Sequence, residues 1–263
     1  MTKPLWTSED ITLATGGVAT APFTVTGTVS IDTRSLQPGD LFVALKDQRD
    51  GHDFVEAAFE AGAAGALVSR KKGEGPQIVA DDTLTALEQL GVAARARCGA
   101  HRTAITGSAG KTSVKEMLAR IYRALGPAHW SQKSFNNHWG VPLTLAALDA
   151  DTDYGIFEIG MNHAGEITPL TKLVRPHVAI VTTVAPAHLE FFDSVADIAM
   201  AKAEIFSGLR KGGIAILPAA PVRKRSRDVE YRFRQDSDFY YLTGFAEPNA
   251  VAVLAPGREA GEF

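Results

Sequence analysis

The chain has 263 residues, a formal net charge of -3, 45% hydrophobic and 22% charged residues. These values lie in the range of folded globular proteins and exclude a disordered chain, a collagen-like repeat and a strongly basic nucleic-acid binder. Cys98 is the single cysteine, which excludes an internal disulfide framework and a cysteine zinc site and fits a reducing compartment. The start, MTKPLWTSEDITLATGG, has no apolar core behind a basic head, and no stretch is long enough to span a bilayer. A cytoplasmic protein without a membrane span is expected.

In chain order, Val29–Ile31 and Leu41–Leu45 are expected strands, with turn chemistry at Leu36–Asp40 between them. Phe54–Ala61 suits a helix and Gly65–Val68 a strand. Leu84, Leu87, Leu90 and Val92 follow helical spacing, with Gly99 as a stop. Then come a strand at Thr103–Thr106, helices at Lys111–Leu125 and Val141–Leu148, and strands at Tyr154–Ile159 and Val178–Thr182. A helix at Val195–Leu209 and a strand at Ile214–Leu217 follow. This alternation argues for an α/β fold with a mostly parallel sheet. A boundary is placed near Cys98–His101, giving segments 1–98, 99–217 and 218–263. The last is richer in aromatics, including Tyr231, Phe233, Phe239, Tyr240 and Tyr241. It opens on the basic cluster Arg223, Lys224, Arg225 and Arg227, which by charge alone reads as a solvated loop.

Thr106-Gly107-Ser108-Ala109-Gly110-Lys111-Thr112 lies between a strand and a helix, the setting a phosphate-binding loop needs. Glycines admit backbone amides close to phosphate oxygens, and the helix start adds partial positive charge. Lys111 would reach the β- and γ-phosphates, and Thr112 would hold Mg²⁺. Ser113 follows in the same turn. Ile105 stands where the general phosphate-loop pattern has its first glycine, so an ordinary strand-to-helix turn is the competing reading.

TGSAGKTSVKEM (106–117) resembles the ATP-binding loop of the Mur ligase family. The segments SFNNHWGVPLTL (134–145), FEIGMNHAGEI (157–167), APAHLEF (185–191) and AKAEIFSGL (201–209) agree in order and spacing. Upstream, SIDTRSLQPGDLFVAL (30–45) and Asp50-Gly51-His52-Asp53-Phe54 resemble the family's UDP-sugar-binding domain. The resemblance covers about residues 10–217. It implies a small UDP-binding α/β domain, a truncated parallel-sheet ATPase domain with the phosphate loop, and a short α+β tail. It also implies ATP-dependent amide formation through an acyl phosphate, in the branch that joins D-Ala-D-Ala to a UDP-N-acetylmuramoyl-tripeptide in peptidoglycan synthesis. ATP and Mg²⁺ would be the cofactors. The partners would be those two small molecules, with no nucleic acid, and the protein would be a monomer.

Site roles follow from the same resemblance. Lys111, Glu158, His188 and Lys202 would be catalytic. Thr112, Glu158, His188 and Lys202, the last as a carbamate, would hold metal. Glu158 also reads as a ligand from its place at the end of an apolar strand, whereas His188 and Lys202 by residue type alone read as structural and surface groups. Gly107 to Ser113 would bind ATP. Thr33, Arg34, Asp50, Gly51, His52, Asn136 and Asn137 would bind the UDP substrate. For Asp50 and Asp53 helix capping is the plain alternative, for Asn136 and Asn137 a turn, and Asn162 and His163 are even between site and ordinary loop.

The expected family pattern fails after Leu217. YRFRQDSDFYYLTGF (231–245) and the following Glu247-Pro248 resemble the amino-terminal domain of the aminopeptidase P family, whose metal-binding residues lie in a later domain. The seam would fall in Gly212–Leu217, leaving a sheet edge and an apolar face that the aromatic-rich tail could cover in part. Three readings remain: a ligase by lineage, a non-catalytic ATP- and UDP-sugar-binding remnant in a chimera, or a protein defined by its aminopeptidase-like tail. Another phosphate-loop enzyme, such as a small kinase, would share Lys111 and Thr112 without needing the other segments.

Overall fold

A computed structural model describes residues 3–132, 135–186, 190–218 and 251–255. It divides into two compact units, residues 1–100 with 125–155, and residues 101–124 with 156–263.

The first unit begins with β1 (Trp6–Thr7), α1 (Ser8–Thr15), β2 (Val18–Ala19), β3 (Thr24–Val25), β4 (Val29–Ser30) and β5 (Leu41–Val43). A 3-10 turn at Gly51–Phe54 leads into α2 (Val55–Glu60), followed by β6 (Gly65–Val68), β7 (Gln77–Val79) and α3 (Thr83–Arg97). Its five-stranded sheet has the order β2-β7-β6-β5-β4. Neighbours from β4 to β7 run parallel and β2 is antiparallel at the edge. Every residue of β5 and β6 is buried, as expected of parallel strands covered on both faces. Thr7 and Asp10 form a reciprocal capping box that starts α1, and Gly16, at φ 66°, ends it in the left-handed conformation. Asp82 caps α3 by accepting from Thr85 N–H at 2.7 Å.

The chain continues through β8 (His101–Thr106), α4 (Lys111–Leu125), β9 (Ala128–Trp130), α5 (Gly140–Ala146), β10 (Tyr154–Glu158), α6 (Ile167–Val174), β11 (Val178–Val181), α7 (Val195–Ala203), β12 (Ile214–Pro218) and β13 (Val251–Leu254). In the second unit the strand order is β13-β12-β11-β8-β10, with β8 in the interior. The pairs β8–β11 and β11–β12 are parallel.

Three features differ from the sequence expectation. Residues 125–155 cluster with the first unit rather than with the phosphate loop. The reason is α5, all of whose residues are buried. It approaches α3 at Gly91, where an added Cβ would stand 3.3 Å from Leu145 and 3.4 Å from the Pro142 carbonyl. Trp6 Nε1 donates to the Ala146 carbonyl at 2.9 Å, and Arg97 lies 3.6 Å over the Trp6 ring. Second, the helix expected over 195–209 is α7 plus a 3-10 turn at Glu204–Gly208. The Thr171 hydroxyl takes the Ile205 carbonyl at 2.8 Å, and Gly208 packs against the Thr171 backbone where a side chain has no room. Third, the edge after Leu217, which the tail was expected to cover only in part, is paired along its length: β13 runs antiparallel to β12, Ala215 opposite Leu254 and Leu217 opposite Ala252. Residues 219–250 and 256–263, which hold the basic cluster and most of the tail motif, lie outside the described residues. Among the described residues no helix is long and apolar enough to cross a membrane. Cys98 is a buried free thiol.

The joint between α3 and α5 gives a direct test. Leu145→Ala should destabilise the chain by about 2–5 kcal/mol, because the vacated space is walled by elements that relax little. Urea denaturation followed by circular dichroism checks this, and a loss below 1 kcal/mol would contradict the packing.

Candidate functional site

The centre of the second unit is built where β8 meets α4. Gly107 sits at φ 150° and Gly110 at φ 84°, conformations open to glycine and strained for other residues. A Cβ on Gly107 would fall 1.9 Å from Thr182 Oγ1. The loop therefore lies against the end of β11. Ser108 N–H donates to the Thr183 carbonyl at 2.8 Å, and Ala109 N–H donates to Thr183 Oγ1 at 3.1 Å. The Ser108 hydroxyl donates to the Ala185 carbonyl at 3.0 Å and lies 3.0 Å from Ala185 N. Gly107 and Gly110 supply the tight turn although Ile105 fills the first glycine position of the general pattern.

Lys111, at the first position of α4, donates to the Gly107 carbonyl at 2.7 Å, which braces the loop. Burial lowers its pKa from the ordinary lysine value, and the carboxylate of Glu158 opposes that shift. The next residue, Thr112, is exposed, and its hydroxyl donates to Glu158 Oε2 at 3.1 Å. Ser113 is exposed one position further on. Glu158 ends the apolar strand β10 and is only 1% exposed. Thus the loop residues Gly107, Lys111 and Thr112, read as one motif, and Glu158, read apart from them, converge on one end of the sheet. That is the carboxyl end of the strands, where open α/β sheets bind ligands.

Lys202 is buried near the end of α7. Its pKa is pushed down to about 8, first by burial and then by the like charge of Lys111. Its burial sets it apart from a surface lysine. His188 lies outside the described residues. Asn162 and His163 are tied to their own loop: Asn162 N–H donates to Glu166 Oε2 at 2.7 Å, and His163 Nδ1 lies 2.9 Å from Glu166 Oε1.

Among the described residues no group of three or more His, Cys, Asp or Glu is arranged to hold a metal by itself. Thr112 and Glu158 nevertheless fit Mg²⁺, which takes one or two protein oxygens and completes its shell with phosphate and water.

Lys115 went unnoticed in the sequence. It is fully buried, with Nζ 3.7 Å from Glu158 Oε2 and 3.3 Å from Glu116 Oε1. The available signal was its place one helical turn beyond Lys111.

The first unit holds a cavity of about 200 Å³ lined by Ile31, Leu45, Lys46, Asp47, Arg49, Gly51, Phe54, Leu84, His138 and Trp139. Of the residues expected to bind the UDP substrate, Gly51 is in this lining. Its charged and aromatic groups, Lys46, Asp47, Arg49, Phe54, His138 and Trp139, were not singled out, although all lie within or beside the quoted motifs. Asn136 and Asn137 precede His138, and Asn137 Oδ1 accepts from Gly140 N–H at 2.9 Å, the turn role. Thr33 is half-buried. Arg34 is spent on a bidentate pair with Asp32, at 2.9 and 2.7 Å. Asp50 caps the 3-10 turn, and the Arg70 guanidinium at 2.7 Å with the N–H groups of His52 holds its carboxyl far below the ordinary range. The buried His52 ring accepts Ser69 N–H at Nε2, 2.9 Å away. Asp50 and His52 therefore fix the cavity's wall through Gly51, and Asp53 follows in the same turn.

The family model of the Mur ligase middle domain matches residues 105–243, and the chain belongs to this family. That match runs past the junction expected at Gly212–Leu217. The UDP-N-acetylmuramoyl-tripeptide–D-alanyl-D-alanine ligase of Escherichia coli K12 is 48% identical over 193 residues, 73% of this chain and 43% of that protein. Its counterpart from Bacillus subtilis is 41% identical over 198 residues, again 73% and 43%. Among solved structures, MurF from Acinetobacter baumannii superposes with a TM-score of 0.72 at 36% identity, over 82% of this chain and 49% of that one. The Thermotoga maritima MurF ligase, solved in complex with ADP, gives 0.62 at 27% identity, over 78% and 47%. The chain spans about half the length of the relatives it matches.

The Lys202 shift predicts a pH dependence with a definite sign. An unfolded lysine keeps its proton to about 10.5, whereas the folded one releases it near 8. Between those values the unfolded state binds more protons, so stability should rise with pH across that window. In Lys202→Met that rise should be reduced. Urea midpoints at pH 7.5, 9 and 10.5 for both chains check it, and parallel profiles would refute the shift.

Proposed function

We propose that the second unit binds ATP with Mg²⁺ and the first a UDP-linked muramyl peptide, as parts of a cytoplasmic ligase joining D-Ala-D-Ala to a UDP-N-acetylmuramoyl-tripeptide. The single observation that carries this reading is the convergence of Lys111, Thr112 and Glu158 beside the Gly107–Gly110 turn. Bound ATP would supply the γ-phosphoryl group that activates a substrate carboxylate as an acyl phosphate, leaving ADP; the amine of the dipeptide would then attack the acyl carbon and release phosphate.

This chain's part in that chemistry is positioning and charge neutralisation. The first-turn N–H groups of α4 have no partner within the helix and face an incoming phosphate. Lys111 keeps its place on the loop through the Gly107 carbonyl and offers its ammonium to the phosphates. Thr112 and Glu158 are the metal-side oxygens. Lys202, with its amine half deprotonated near pH 8, is suited to add CO₂ and become a third ligand, anionic like Glu158, and His188 is assigned the second metal by family likeness alone. In the first unit Lys46 and Arg49 suit a diphosphate, and Phe54 and Trp139 offer faces to a planar base. The UDP assignments of Thr33, Arg34, Asp50, His52, Asn136 and Asn137 reduce, on this reading, to shaping residues around that cavity.

The aminopeptidase P-like reading of residues 218–263 is kept as a proposal about origin, supported by the run at 231–245. No peptidase activity is proposed for it. Sequencing the coding DNA across Gly212–Leu217 tests it: a frameshift or assembly break would confirm a join, and an uninterrupted frame continuing as an ordinary ligase would remove it.

Isothermal titration with ATP and MgCl₂ tests the site itself. The unmodified chain should bind, and Lys111→Ala should lose at least about a hundredfold in affinity, the loss of a charged phosphate contact. Equal affinities for the two chains would remove the phosphate-loop assignment.

A further inference from the structure

Lys115 and Ala119 are the buried residues of α4. A lysine is an odd choice for a position with no exposure. Taking an ammonium and a carboxylate out of water costs more than their attraction commonly returns, and apolar replacements of such pairs are often neutral or stabilising. Stability alone therefore gives no reason for a lysine here. Its position does. Lys115 lies one turn beyond Lys111, on the face of α4 that meets the end of β10. Its Nζ approaches Glu158 Oε2 at 3.7 Å, and the Thr112 hydroxyl donates to that same oxygen at 3.1 Å. A hydroxyl donor and an ammonium from successive turns of one helix thus meet one carboxylate oxygen, and the same ammonium lies 3.3 Å from Oε1 of the exposed Glu116.

We propose that Lys115 is a positioning residue for the metal: it holds the buried Glu158 carboxylate in its orientation before Mg²⁺ and nucleotide arrive. The inference rests on reading Glu158 as a Mg²⁺ ligand. Lys115 touches neither nucleotide nor substrate, and in this it differs from Lys111, whose place is on the phosphate side of the loop. An ammonium near a cation site also repels the cation. Orientation outweighs that repulsion, because without the ammonium the Glu158 carboxylate loses one of the groups that fix its direction.

The experiment titrates MgCl₂ against ADP binding by calorimetry in the full chain and in Lys115→Met, Lys115→Arg, Glu158→Gln and the double variant K115M/E158Q. Lys115→Met should leave ADP binding without Mg²⁺ unchanged and raise the Mg²⁺ midpoint by about tenfold or more, the usual effect of losing a group that orients a metal ligand. Lys115→Arg, which keeps the charge, should recover most of that loss. In the Glu158→Gln background the added K115M change should have no further effect, since the lysine acts through the carboxylate. The double variant carries no unpaired buried charge, so this comparison stands even where Lys115→Met alone does not fold. An unchanged or lowered midpoint in Lys115→Met, or a further loss on adding K115M to Glu158→Gln, overturns the inference while leaving Glu158 as ligand. Absence of any Mg²⁺ effect in the unmodified chain, or its persistence in Glu158→Gln, overturns the metal reading of Glu158 and this inference with it.

Discussion

A carboxylate buried at the end of an apolar strand governs the second unit. Glu158 is 1% exposed, and a negative charge so placed must be met by donors at close range. α4 meets it twice, through Thr112 and Lys115. That demand fixes the rotation of α4 about its axis, and the rotation in turn fixes where Lys111 stands at the helix start. The loop before it must then turn within four residues and lie against β11, which admits glycine alone at 107. Charge burial, helix rotation and loop conformation are one linked constraint.

The first unit rests on a different kind of join. Its sheet is closed by hydrocarbon, but its long-range ties include polar groups with little freedom. Asp50 accepts from His52 and Arg70, His52 accepts from Ser69, and the Trp6 indole donates to α5. These bonds hold Gly51 and its neighbours in the cavity wall. The residues that look most reactive in the sequence, the acid and the imidazole of Asp50-Gly51-His52-Asp53, are thus largely spent on architecture. The cavity is offered instead by longer side chains beside them.

Local grammar explains what could be read in advance. β6 and α4 have the expected bounds, because one is a short apolar run between turns and the other a long amphipathic helix after a glycine loop. The 3-10 turn that ends α7 depends on a partner distant in sequence, Thr171, and the packing of α5 on another, Gly91, and no periodicity carries that information. α1 and α6 are eight-residue helices whose periodicity is too brief to stand out. In the site, Lys111, Thr112 and Glu158 were legible because motif and strand end coincide. Lys115 was not, since a lysine on a helix reads as surface until a buried carboxylate is seen facing it. The cavity residues Lys46 and Trp139 were hidden for a similar reason: their motif could be recognised, but which side chains turn inward is settled by packing.

The strand β13 closes the parallel sheet with main-chain hydrogen bonds, while its Val251 and Val253 side chains remain 60% and 50% exposed. Such a strand makes almost no demand on sequence beyond extended backbone and the absence of proline at its bonded positions. The edge of the sheet is therefore the most interchangeable part of this architecture. A segment of different ancestry could be grafted there without disturbing Glu158 or the phosphate loop, because side-chain identity contributes so little to the seal.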